Sequence, residues 1–125
     1  MKNIDFRTLT ERERWALEKM LAVEFRNHQR LEEQVSGLVL RQCDETLFEF
    51  APMLEQATDL KPRIFAVPIE CTYSDADGAV VYVDLFVDEQ DALIELEVWK
   101  PDGSAVLTYF ADADLLVKAA NIDGG

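Results

Sequence analysis

The stretch Val67–Trp99 constrains this chain most: three runs of alternating residues separated by two turns. In the middle run Val81, Val83, Leu85 and Val87 alternate with Tyr82, Asp84, Phe86 and Asp88. A period of two puts the aliphatics on one face of a strand. In the third run Ile94, Leu96 and Val98 alternate with Leu93, Glu95, Glu97 and Trp99. Closing the turn within Asp88–Asp91 sets Leu85 opposite Ile94, Val83 opposite Leu96 and Val81 opposite Val98. A slip by one residue would turn the aliphatic set outward, so the parity is strongly specified.

The first run holds Val67, Ile69, Cys71 and Tyr73. These reach the same face only across a loop with an odd number of residues. Ala76-Asp77-Gly78 supplies it, with Gly78 in the left-handed bulge position and Asp75 capping the turn. Pro68 is expected on an edge strand or with its nitrogen turned away from the middle strand.

The opposite face then carries four rows: Pro68, Phe86 and Leu93; Glu70, Asp84 and Glu95; Thr72, Tyr82 and Glu97; Ser74, Val80 and Trp99. Like charges directly opposite one another destabilise a sheet unless solvated or neutralised. Solvation is the simpler account. A face of acids beside aromatics also suits a partner's Lys or Arg, through ion pairs and cation–π contact. The candidate partner-binding residues are Glu70, Tyr82, Asp84, Phe86, Glu95, Glu97 and Trp99. Arg41, Lys61 or Arg63 closing over the row is the intramolecular alternative.

Upstream, Thr10 and Glu13 form a T-x-x-E capping box before Ala16, Leu17, Met20, Leu21 and Val23, which predicts a helix fading near Glu24. A second helix is expected over Phe25–Val35, stopped at Ser36-Gly37 with Gly37 left-handed. Leu38–Cys43 and Leu47–Phe50 read as strands around a turn at Asp44-Glu45. Ala51–Arg63 reads as a connection with one helical turn. After the turn signal Pro101–Ser104, Val106–Phe110 reads as a fourth strand of the sheet. Its core-facing set is either Leu107 and Tyr109 or Val106, Thr108 and Phe110. The tail beyond Phe110 is expected to dock a turn of helix at Leu115–Val117.

Charge narrows the partners. With 25 Asp and Glu against 12 Lys and Arg, the net charge is −13. Phosphate backbones repel such a chain, so nucleic acid is not expected as a partner. No apolar run is long enough to cross a bilayer, and Met1–Phe6 lacks the apolar core of a signal peptide, so a cytoplasmic location is expected. The lone His28 and the two cysteines, Cys43 and Cys71, offer no Cys–His catalyst and no zinc spacing. DADG fails the EF-hand spacing. No cofactor is expected.

The run from Glu70 through YSDADG, VDLFVD, ELEVWK and DGS resembles small bacterial domain families of unknown function. These share a DxDG turn, a strand ending in VD and an E-L-(D/E)-(I/V)-(W/Y)-(K/R) closing strand. The resemblance covers about Ile64 to Phe110 and implies no catalytic residue. Some similar proteins have a Cys-rich turn where this chain has Cys43-Asp44-Glu45-Thr46.

The expected fold is a single α+β domain over residues 1–125. Two N-terminal helices (about 8–36) pack on one face of a mostly antiparallel meander of four to six strands (about 38–110), and a short tail follows. The expected function is a small acidic protein-interaction module. One version is an immunity-type protein that neutralises a basic toxin; self-association through the same face is another. The alternative is a small enzyme or divalent-ion-binding domain using Glu70, Asp84 and Glu95.

Overall fold

The structure, a computed structural model, describes residues 6–52, 63–110 and 115–120. It is organised on the alternating run Val80–Val87. Each strand of the sheet runs antiparallel to its neighbours. In chain order the strands are β1 (Arg7–Thr8), β2 (Leu38–Gln42), β3 (Leu47–Pro52), β4 (Phe65–Ala66), β5 (Ile69–Ser74), β6 (Val80–Val87), β7 (Leu93–Trp99) and β8 (Leu116–Ala119). Their spatial order is β1-β2-β3-β7-β6-β5-β8, with β4 also paired to β6. Among the described residues the sheet therefore has eight strands, not four to six.

One helix, not two, covers the inner face. α1 (Glu11–Leu21) starts at the expected box: the Thr10 hydroxyl accepts from Glu13 N–H, and Glu13 accepts from Thr10 N–H. Ala16, Leu17, Met20 and Leu21 are buried against Leu40, Phe48, Phe50, Leu96 and Phe110. Each large side chain so buried is worth about 1.5–3 kcal/mol. The expected second helix shrinks to α2 (His28–Glu32), entered through Asn27 at φ +69° and contributing only Leu31 to the core. Five residues cannot hold a helix by propensity. Two side chains hold it from outside. His28 Nδ1 lies 3.1 Å from the Leu21 carbonyl oxygen, at the end of α1. Gln34 Nε2 donates to the Asp91 carbonyl, and its Oε1 accepts from Leu93 N–H. Val35–Gly37 form a 3-10 turn, and Gly37 is not left-handed.

The first meander turn forms as expected, with Gly78 at φ +83° and Ser74 paired to Val80. The second does not. Asp88–Ala92 is a five-residue loop, with Asp91 at φ +62° and the Asp88 carboxylate accepting from Gln90 and Ala92 N–H. The longer loop moves β7 along by two residues, so Leu85 faces Leu96 and Val83 faces Val98. Parity survives because the shift is even. An irregularity at Phe86/Val87 then brings Leu93, 2% exposed, into the core and leaves Ile94 half-buried, the reverse of the expectation.

Other expectations are corrected. β8 covers the outer edge of β5, so of the two places expected for Pro68 the edge strand is excluded; Pro68 lies in the break between β4 and β5, after Val67, whose N–H bonds to Leu85 of β6. Val106–Phe110 is not a strand; Val106 and Phe110 turn inward, and the Leu107 and Thr108 amides bond to Asp75. Leu116–Ala119 is a strand, not a helical turn. The expected connection over Ala51–Arg63 lies mostly outside the described residues.

Candidate functional site

All seven candidate residues lie on the sheet face opposite α1. Tyr82, Asp84 and Phe86 alternate with the buried positions of β6, as Glu95, Glu97 and Trp99 do with Leu96 and Val98 of β7 and Glu70 with Ile69 and Cys71 of β5. The register decides which of them meet. One row runs Arg41, Glu49, Glu95, Phe86. The next runs Leu47, Glu97, Asp84. A third runs Trp99, Tyr82, Thr72, Leu116. The expected row Glu70–Asp84–Glu95 does not form: Asp84 faces Glu97, and Glu95 sits between Glu49 and Phe86.

The aromatics are fixed by their neighbours. The Tyr82 and Trp99 rings stack with centroids 5.0 Å apart at 23°, and Trp99 Nε1 donates to Asp84 Oδ2 at 2.7 Å. Arg41 does pair, with Glu49 at 2.7 Å. Lys118, an unanticipated cation, reaches Glu70 at 3.1 Å, where both side chains are exposed and the pair contributes little. Glu95 and Glu97 have no cationic partner among the described residues. Burial, then the charges of Glu49 and Glu97, hold the Glu95 carboxyl above its ordinary value. A cation brought to this face would relieve that repulsion.

The groups that chemistry would need lie elsewhere. Among the described residues no three His, Cys, Asp or Glu are placed to hold a metal. Burial, the largest cause in each case, pushes Cys43 to about 11 and Cys71 to about 12, so both thiols stay protonated near neutrality. The crevice between α1 and the sheet has room for about one water molecule.

The residues that sequence reasoning missed are Lys100, Asp75 and Asp77. Lys100 Nζ lies 2.9 Å from a carboxylate oxygen of each Asp, and the Lys100 and Asp75 side chains are 1% and 0% exposed. Asp75 also accepts from the backbone N–H of Ala76, Leu107 and Thr108 and from the Thr108 hydroxyl. Burial opposes its charge, but the donors from Leu107, Lys100, Thr108 and Ala76 outweigh it and hold the carboxyl far below the usual range. The signal was available in the sequence. Asp75 continues the inward set Ile69, Cys71, Tyr73, and Lys100 continues Leu96, Val98, so two opposite charges stand at core positions. DADG and the closing W-K thus meet in space as a structural clamp, and an ammonium fills the place a calcium reading of DADG would give to the metal.

A family model described as a domain of unknown function (DUF6984) matches residues 6–110. The match takes in every element from β1 to β7 and the clamp, and stops before β8. No curated protein and no solved structure matches the chain.

Proposed function

The chain belongs to the DUF6984 family of domains of unknown function, and from that premise we propose that it is a small acidic protein-interaction module. Its outer sheet face receives a Lys/Arg-rich surface of a protein partner. An immunity-type role against a basic toxin is the version in which that partner is an enzyme to be neutralised.

One observation carries the reading: Glu49, Glu70, Asp84, Glu95 and Glu97 share the face with only Arg41 and Lys118 among the described residues, around a stacked Tyr82–Trp99 pair. Aromatic anchors held rigid by stacking lose little entropy on binding. Unpaired carboxylates steer a cation to them and fix its orientation. Glu95 supports the same reading, because the carboxylate that its neighbours destabilise gains most from an incoming ammonium or guanidinium.

The test is site-specific photo-cross-linking in the cell that encodes the protein. Benzoylphenylalanine replaces Tyr82 in one strain and the exposed Ala105 in another. Cross-linking at position 82 alone, to a Lys/Arg-rich segment, and its loss on adding Glu97→Lys, is the expected result. The same products from both positions, or an acidic contact segment at position 82, would refute the reading.

A further inference from the structure

The chain's charge is unevenly placed. Residues 6–30 hold six Lys and Arg against four Asp and Glu, whereas residues 31–125 hold five against twenty. Taken through α2 to Glu33 the helical side is balanced, six to six, and the rest is strongly acidic. On α1 the cations are gathered around one ring: Arg12 Cζ lies 4.9 Å and Lys19 Nζ 5.2 Å from the Trp15 ring centroid. Arg12 and Lys19 are exposed, and neither makes an ion pair among the described residues. Glu11 and Glu18 stand four and three residues from Trp15, on the side of that ring away from Arg12 and Lys19.

Resting on the function proposed above, we propose that the partner is a second copy of this chain, whose Arg12–Trp15–Lys19 flank docks on the acidic rows of the outer sheet face. The spacing fits. Arg12 and Lys19 are seven residues apart, about 10 Å along a helix. Asp84 and Glu49 lie two strands and one row apart, a span of about 12 Å, with Glu95 and Glu97 between them. An indole placed between the cations meets that middle, beside the Tyr82–Trp99 stack, and each carboxylate row receives one cation.

The two contacting surfaces lie on opposite sides of the molecule, because α1 covers the inner face. The contact is heterologous, so it extends head to tail instead of closing as a twofold dimer. The net charge of −13 opposes approach of two copies, so the association is weak and strengthens as moderate salt screens that long-range repulsion. High salt then screens the pairs as well and dissolves it.

Sedimentation velocity of the full chain over a loading series tests the geometry. The variants are Arg12→Glu/Lys19→Glu, which reverses the helix flank, and Glu95→Lys/Glu97→Lys, which reverses the sheet face. Wild type is expected to show loading-dependent species beyond dimer. Each variant alone should weaken self-association by about tenfold or more. An equimolar mixture should restore association, since one variant keeps the acidic face, the other keeps the basic flank, and the two reversed surfaces are again opposite in charge. If the Lys variant does not give the wild-type circular dichroism spectrum, Glu95→Gln/Glu97→Gln replaces it and should weaken self-association in the same direction. Monomeric wild type at every loading, or self-association unchanged by either pair of substitutions, would overturn the self-docking. A cross-link from position 82 to a different Lys/Arg-rich protein, with wild type monomeric, would overturn the self-docking alone and leave the interaction face standing.

Discussion

Replacing Asp75 by Asn tests the buried clamp most directly. The two residues have the same shape, so the change isolates charge and donor–acceptor pattern. Oδ1 accepts from Ala76 N–H, Thr108 N–H and the Thr108 hydroxyl, at 2.8–2.9 Å. Oδ2 accepts from Leu107 N–H at 2.7 Å and lies 2.9 Å from Lys100 Nζ. If the amide oxygen of Asn keeps the first set, its NH2 points at two donors. One unsatisfied buried N–H costs about 1–3 kcal/mol, and breaking a buried ion pair about 3–5 kcal/mol. Lys100 keeps Asp77, so the low end applies, and about 3 kcal/mol is the expected loss for Asp75→Asn. For a domain of this size that lowers Tm by about 10 °C. Urea denaturation followed by near-ultraviolet circular dichroism measures it, with unchanged m-value as the check on two-state behaviour. Adding Lys100→Met should recover part of the loss, because the buried ammonium, left with Asp77 alone, is then gone. A loss below about 1 kcal/mol, or a double variant less stable than Asp75→Asn alone, would refute the account.

Stability should vary with pH in two opposite ways. Asp75 is held below its ordinary value in the fold, so its contribution is complete above the unfolded value, near pH 4, and is lost as pH falls through the folded one. Glu95 is held above its ordinary value, so it costs stability at neutral pH, and that cost disappears as pH falls through its folded value. Urea midpoints are therefore expected to rise as pH falls through the Glu95 transition and to fall again below about 4; a steady fall from pH 7 would contradict the crowding at Glu95. Leu93→Ala should cost about 2–5 kcal/mol and Ile94→Ala less than about 1 kcal/mol, which thermal melts can compare; equal losses would return Ile94 to the core. Gln34→Ala removes its bonds to Asp91 of the β6–β7 loop and to Leu93 at the start of β7 and should lower stability by about 1–3 kcal/mol, while hydrogen exchange at Leu93 N–H quickens; unchanged exchange there would refute the strapping role.

Sequence alone determined much of what depends on a two-residue period or a local cap, though not the inward turn of Leu93 or the end of the second helix at Gly37. The face of β6, the three-residue turn with Gly78, the Thr10–Glu13 box and the seven outer-face residues were all legible, because each follows from neighbours a few positions apart. Tertiary structure decided whatever depends on the length of a loop or on a remote donor. The β6–β7 register needed the Asp88 loop, since an even shift preserves parity and leaves no trace in the hydrophobic pattern. Val106–Phe110 has strand-forming residues, yet the Asp75 carboxylate, more than thirty positions away, takes its amides before any strand can. Eight strands replaced the expected four to six because β1, β4 and β8 are two to four residues long, and only pairing to a longer neighbour makes so short a segment a strand. The acidic face was visible as a set of residues from the start. Which carboxylate faces which, and hence where a cation would be received, was decided by the register.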